Sequence, residues 1–191
     1  MSLRESRRIV GFTGLIGSGK TTCALYLMRM GAHRVRLAGP LKDMLYALGL
    51  SVEQVDGSLR EDPCDLLCGK TPRWFMQYIA TEFIRHNVSQ DFWVNLWRVN
   101  VDRLPPAANV VTDDVRFPNE VKAIKAYTGK SVIIEIVRPG LALANPRVKA
   151  HVSEAGGVGA DHVLMNDGSL DDLYFKLGKI LMLAGRNGRV G

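Results

Sequence analysis

The chain has 191 residues, 47% of them hydrophobic and 23% charged, a composition that excludes a disordered or collagen-like chain. Its net charge of +6 comes from scattered Lys and Arg with no basic tract interleaved with aromatics, so the excess points to a ligand that gathers phosphates, and nucleic acid is not expected. No apolar run approaches a membrane span, no signal-peptide core follows the basic start at Arg4, Arg7 and Arg8, and three cysteines are an odd count for a disulfide framework; a cytoplasmic chain without membrane partners is the expectation.

In chain order, Ile9–Thr13 reads as a short buried strand. Gly14-Leu15-Ile16-Gly17-Ser18-Gly19-Lys20-Thr21 follows it, the complete pattern G-x-x-x-x-G-K-[ST]. Thr22–Met30 then reads as a helix ending at Gly31. Strand, glycine loop and helix form the context in which this pattern holds a nucleoside triphosphate. The glycines let backbone N–H groups turn inward around phosphate oxygens, and the helix N-terminus adds partial positive charge. Gly14, Gly17, Ser18, Gly19, Lys20, Thr21 and Thr22 are therefore candidate ATP contacts, with Lys20 on the β- and γ-phosphates and the Thr21 hydroxyl on Mg²⁺. A glycine-rich turn before an ordinary helix is the alternative.

Arg34–Leu37 reads as a second strand, and Pro40 suits the first turn of a helix over 41–48. Residues 51–70 carry the turn signals Asp56-Gly57-Ser58, Glu61-Asp62-Pro63 and Gly69-Lys70, which predict a surface excursion. Cys64 and Cys68 lie inside it, spaced too loosely for a zinc site and without a second pair; unligated thiols are the expectation.

Thr71-Pro72 starts a helix with Thr71 as N-cap. Arg73, Gln77, Thr81 and Arg85 recur every four residues along one face. Such a stripe is either a solvated polar face or the edge of a substrate pocket. A third strand, Asn109–Thr112, exits into Asp113-Asp114-Val115-Arg116. Ligands sit at the carboxyl ends of strands in open α/β sheets. An acid there can hold a Mg²⁺ water, and Arg116 can clamp a phosphate. Alternate strand residues face opposite ways, so which of the two adjacent acids, Asp113 or Asp114, faces the site is left open; Asp114 is taken as the metal and catalytic candidate. The other reading is a strand-to-helix turn with Asp114 or Asn119 capping a helix over 120–127. Ser131–Val137 and His162–Met165 complete five strands. Helical patterns between them predict an α/β fold, a parallel sheet with helices on both faces. The stretch 138–160, bounded by Pro and Gly and holding Arg147, Lys149 and His151, suits a hinged cover or a plain loop. The tail 185–191 is glycine-rich and expected to fray.

Taken together and in order, several blocks resemble the bacteriophage deoxynucleoside monophosphate kinases of the T-even type. They are the phosphate loop; Leu37-Ala38-Gly39-Pro40-Leu41-Lys42-Asp43; Thr71-Pro72-Arg73-x-x-x-Gln77 with Thr81-Glu82; Asp91-x-Trp93-Val94; Asp114-Val115-Arg116 with Glu120; Val137-Arg138-Pro139-Gly140; His151-x-Ser153-Glu154-Ala155-Gly156; and Asn166-Asp167-Gly168-Ser169-Leu170. The resemblance implies a P-loop nucleoside-monophosphate-kinase fold in one domain, with a core at about 7–40 and 100–185, an NMP-binding lobe at 41–99 and a lid at 138–160. It implies transfer of phosphate from ATP-Mg²⁺ to a deoxynucleoside monophosphate, with small nucleotides as partners and a homodimer left open. By the resemblance, Arg73 and Arg116 would take the acceptor phosphate and Gln77 would read the base. Lys42 and Arg85 would join them in binding substrate. Arg138, or Arg147, would be the lid arginine, and Asn166 and Gly168 would sit near the donor adenine. The chain departs from the pattern at Thr21, where members carry Asp, at Lys70, where the T-even enzyme has Trp, and in being shorter before residue 71. Another small-molecule kinase on this scaffold, acting on dephospho-coenzyme A or gluconate, is the alternative; a non-catalytic P-loop module is a third.

Overall fold

The computed structural model describes residues 7–141 and 158–187. The β-branched runs become β1 (Ile9–Thr13), β2 (His33–Arg34), β3 (Val110–Thr112), β4 (Ser131–Val137) and β5 (His162–Met165). They form one sheet in the order β2-β3-β1-β4-β5, with every neighbouring pair parallel. The helices are α1 (Lys20–Arg29), α2 (Gly39–Ala47), α3 (Val52–Val55), α4 (Pro72–Gln77), α5 (Phe92–Asp102), α6 (Pro118–Tyr127) and α7 (Leu170–Asn187). The chain divides into two compact units, Met1–Arg36 with Trp97–Gly191, and Leu37–Leu96. Among the described residues no helix is long and apolar enough to cross a membrane.

In the first unit β1 lies at the centre of the sheet and all five of its residues are buried. On one face, Val10, Phe12, Val111 and Ile134 pack with Cys23, Ala24 and Leu27 of α1 and Leu173 and Leu177 of α7. At the amino end of β1, buried Arg7 donates to the carbonyls of Val101 (2.6 Å), Leu104 (3.2 Å) and Pro105 (2.8 Å) and to the Tyr127 hydroxyl (3.1 Å). Its charge thus satisfies carbonyls that the end of α5 leaves open. The second strand is shorter than its apolar run suggested, two residues where 34–37 was expected. The tail also departs from expectation: α7 continues through Gly185 to Asn187.

The second unit has its own core, in which Leu41, Leu45, Leu50, Val55, Cys64, Leu67 and Trp93 are buried. Residues 51–70 are therefore more than a surface excursion. Ser51 and Gln54 form a reciprocal capping box on α3 (2.9 and 3.3 Å), and two 3₁₀ turns, Ser58–Glu61 and Asp65–Leu67, carry the chain onward. Turn residues set the path, while every few positions an apolar side chain is driven inward. Thr71 caps α4, its hydroxyl accepting from Trp74 N–H at 3.1 Å. The helix then widens into a π-helix over Tyr78–Arg85.

Cys23 lies wholly buried in α1, and burial pushes its thiol from 9.0 to about 12. The folded chain thus holds the neutral thiol that the unfolded chain releases, so the contribution is intact below pH 9 and fades between 9 and about 12. We predict that urea midpoints of the wild type fall more between pH 8 and pH 10 than those of Cys23→Ala. Parallel falls in both would remove the thiol as the cause.

Candidate active site

The phosphate loop leaves β1 at Gly14 and enters α1 at Lys20. Gly14 has φ +127° and sits so close to the Ile136 carbonyl of β4 that an added Cβ would collide with it. Gly19, at φ +111°, is the N-cap of α1 and has the Asn166 carboxamide 2.7 Å from where a Cβ would stand. Only glycine fits either place. The Lys20 ammonium donates to the carbonyls of Gly14 (2.6 Å) and Leu15 (2.7 Å), so its charge is held over the loop. Ser18 is buried, and its hydroxyl has no hydrogen-bond partner among the described residues. An unpartnered buried hydroxyl is disfavoured unless a ligand completes it. It faces Gly14 across the loop, 3.1 Å from the position of a Cβ there.

The exit of β3 settles which acid meets the loop. Asp113, 4% exposed, accepts from the Thr21 hydroxyl at 2.9 Å. It also takes a bidentate pair from Arg34 of β2, Nε at 2.8 Å and Nη2 at 2.6 Å. Of the two adjacent acids it is Asp113 that meets Thr21, with Asp114 half-buried beside it just past the end of β3. Arg34 had drawn no notice as a site residue. Its signal was a guanidinium in a short strand of a parallel sheet, where a part-buried charge calls for a partner.

Arg116 and Arg138 are exposed. Arg116 sits in the turn leading to α6, where buried Glu120 accepts from the N–H groups of Arg116 (2.7 Å) and Phe117 (3.0 Å). Phe117, not Asp114 or Asn119, is the N-cap residue of α6; a reaching Glu replaces a capping Asp or Asn. Arg138 directly follows β4. Arg147, Lys149 and His151 lie outside the described residues, as does most of the expected cover. After β5, Asn166 donates from Nδ2 to the Ser18 carbonyl at 2.8 Å. Asp167 meets Lys176 at 2.5 Å, which pulls its carboxyl below the usual range. The Asp172 carboxyl is also lowered, chiefly by accepting from Ser169 N–H at 3.0 Å. Gly168 lies against Asp172.

In the second unit the four-residue stripe is largely withdrawn from solvent, with Thr81 at 9% and Arg85 at 8% exposure. It is not a solvated polar face. In an α-helix, residues four apart overshoot a full turn by about 40°. The π winding takes more than four residues per turn, so the later steps fall short of one by a comparable angle in the opposite sense. Arg85 donates to the Gln90 carbonyl (2.9 Å) and Arg73 meets Glu61 (2.9 Å). Lys42 pairs with Asp56, which also accepts from Tyr46 (2.8 Å). Beside Lys70, Trp74 and Tyr78 stack at 5.1 Å on the half-exposed side of the helix, a pair that the helical pattern had not singled out.

The profile of the deoxynucleotide monophosphate kinase family matches residues 70–177. A protein of Acanthamoeba polyphaga mimivirus, provisionally named as a deoxynucleotide monophosphate kinase, is 34% identical over 88% of this chain and 93% of its own length. The deoxynucleotide monophosphate kinase of Enterobacteria phage T4 is 24% identical over 89% of this chain and 97% of its own. Among solved structures, TT1252 from Thermus thermophilus superposes with a TM-score of 0.49 at 23% identity, covering 93% of this chain and 97% of its own.

Glu120 is 3% exposed and carries two backbone hydrogen bonds. Glu120→Ala should lower unfolding stability by about 1–3 kcal/mol, since both amides lose a charged acceptor. Glu120→Gln, which keeps an acceptor oxygen, should recover part of it in urea titrations. Wild-type stability in the Ala variant would refute this role.

Proposed function

The chain belongs to the deoxynucleotide monophosphate kinase family, whose reaction is phosphoryl transfer to a nucleotide, and we propose that its donor is ATP-Mg²⁺, its acceptor a deoxynucleoside monophosphate and its products ADP and the deoxynucleoside diphosphate. The observation that carries the reading is the folded phosphate loop, with the buried Ser18 hydroxyl unpartnered among the described residues and Lys20 held over the loop. In the transfer, the bond from the γ-phosphorus to the ADP oxygen breaks and one to an acceptor phosphate oxygen forms. Little covalent chemistry is asked of the protein, so its work is positioning and charge stabilisation.

Inward amides, the N-terminus of α1 and the Ser18 hydroxyl suit the donor phosphates. Lys20 would exchange its two loop carbonyls for phosphate oxygens, a stronger charge-assisted partnership. Mg²⁺ is a hard cation that prefers oxygen ligands. Thr21 Oγ1 and Asp113 Oδ2, 2.9 Å apart, fit it; bound there, it would neutralise phosphate charge. Arg34 keeps the Asp113 carboxylate aimed.

For the acceptor, Arg73 and Arg116 are our choices for the phosphate, with Arg138 for charge developing at the transferred group. Gln77 can offer a donor and an acceptor to a base edge. Glu61 holds Arg73 in the nucleotide-free chain and would yield it to the more highly charged phosphate. Lys42 is our further candidate for the acceptor, reached by exchange from Asp56.

A coupled assay of ADP formation across dNMPs, NMPs, gluconate and dephospho-coenzyme A tests the proposal; no turnover on any nucleoside monophosphate would end it. Lys20→Ala should lower turnover about 10²- to 10³-fold, the range for a lost charge-stabilising contact. Arg73→Ala should chiefly raise the acceptor KM, whereas Gln77→Ala should reorder the preferred bases. Unchanged acceptor kinetics in the first, or an unchanged dNMP profile in the second, would remove that residue from the site.

A further inference from the structure

We infer that Asn166 is a positioning residue that latches the phosphate loop from the end of β5, setting affinity for the donor's triphosphate without reading its base. The inference rests on the proposal that this loop binds a nucleoside triphosphate.

The Asn166 side chain crosses to the loop and donates to Ser18 O at 2.8 Å. A carbonyl can only accept, so the amide nitrogen must be the atom that faces it. One of its two N–H donors is thereby committed to main chain. The carboxamide also lies against Gly19, 2.7 Å from the site of a Cβ. The Ser18–Gly19 peptide is planar and trans, so fixing its C=O toward β5 turns the Gly19 N–H the opposite way. Inward N–H groups are what a phosphate loop offers an anion. The latch itself is anchored. Asn166 N–H donates to Val137 O at 2.8 Å, extending the β4–β5 pairing. Beyond it, the turn is tied to α7 through Lys176 with Asp167 and Ser169 with Asp172. Gly14, at the loop's other end, rests on the Ile136 carbonyl of β4. The loop is thus braced at both ends by the carboxyl edge of the β4–β5 pair. The flexible glycines lower the energy of the required shape, and the two contacts select it from the shapes that glycine allows.

The test is calorimetric binding of ATP, GTP and inorganic tripolyphosphate to wild type, Asn166→Ala and Asn166→Asp. Asn166→Asp keeps the side chain's shape but sets an oxygen against the Ser18 carbonyl, and thermal unfolding identifies which variants remain folded. A lost hydrogen bond predicts about a tenfold weakening in Asn166→Ala, equal for all three ligands, and a larger common factor in Asn166→Asp, with the acceptor KM within about twofold of wild type. Three results overturn the inference: weaker ATP with unchanged tripolyphosphate, a changed ratio of ATP to GTP, or unchanged binding in both variants. Wild type that binds ATP but no tripolyphosphate also overturns it, because the loop alone then has no affinity to govern. Wild type that binds none of the three overturns the donor proposal as well.

Discussion

A single carboxylate, that of Asp113, organises the nucleotide end of the first unit. It is almost wholly buried, and an ion so placed is tolerable only with partners on its oxygens. The partners come from two elements: the Thr21 hydroxyl at the start of α1 and the Arg34 guanidinium of β2. With Asp113 at the exit of β3, one charge ties together the helix that begins at the phosphate loop and the two strands on that side of β1. Removing Arg34 would leave the buried carboxylate without its counter-charge, so the arrangement is held by the cost of its alternatives.

The other side of β1 braces the loop differently. There the contacts are neutral and made onto main-chain carbonyls: Gly14 close against that of Ile136, and the Asn166 side chain on that of Ser18. Charge on the β3 side and shape on the β4–β5 side divide the work. A loop with three positive-φ glycines at positions 14, 17 and 19 has many conformations of similar energy, and it needs both kinds of support to keep one of them.

In the second unit, polar residues drawn into a helix face are matched by partners within the unit itself: Glu61 for Arg73, Asp56 for Lys42, the Gln90 carbonyl for Arg85.

Much of this was legible in the residues. Gly14–Thr21 between a β-branched run and an amphipathic one specified strand, loop and helix, because local chemistry requires glycine and a β-hydroxyl there whatever surrounds them. The runs 9–13, 131–137 and 162–165 became strands at those bounds; the first two sit inside the sheet, where residues buried on both faces announce themselves as continuous apolar stretches. Tertiary structure decided the rest. Whether Asp113 or Asp114 meets Thr21 depends on the pleat where β3 ends. Whether Arg34 matters depends on β2 lying beside β3, strands far apart in sequence. That Asn166 holds the loop depends on β5 lying at the edge beyond β4. Residues 51–70 looked like turns because turns do set their path, while the burial of Val55, Cys64 and Leu67 follows from a core that no short window contains. Sequence alone determined the chemistry available, because motif and composition are local. Which carboxylate, arginine and amide became neighbours was settled only by strand order and register.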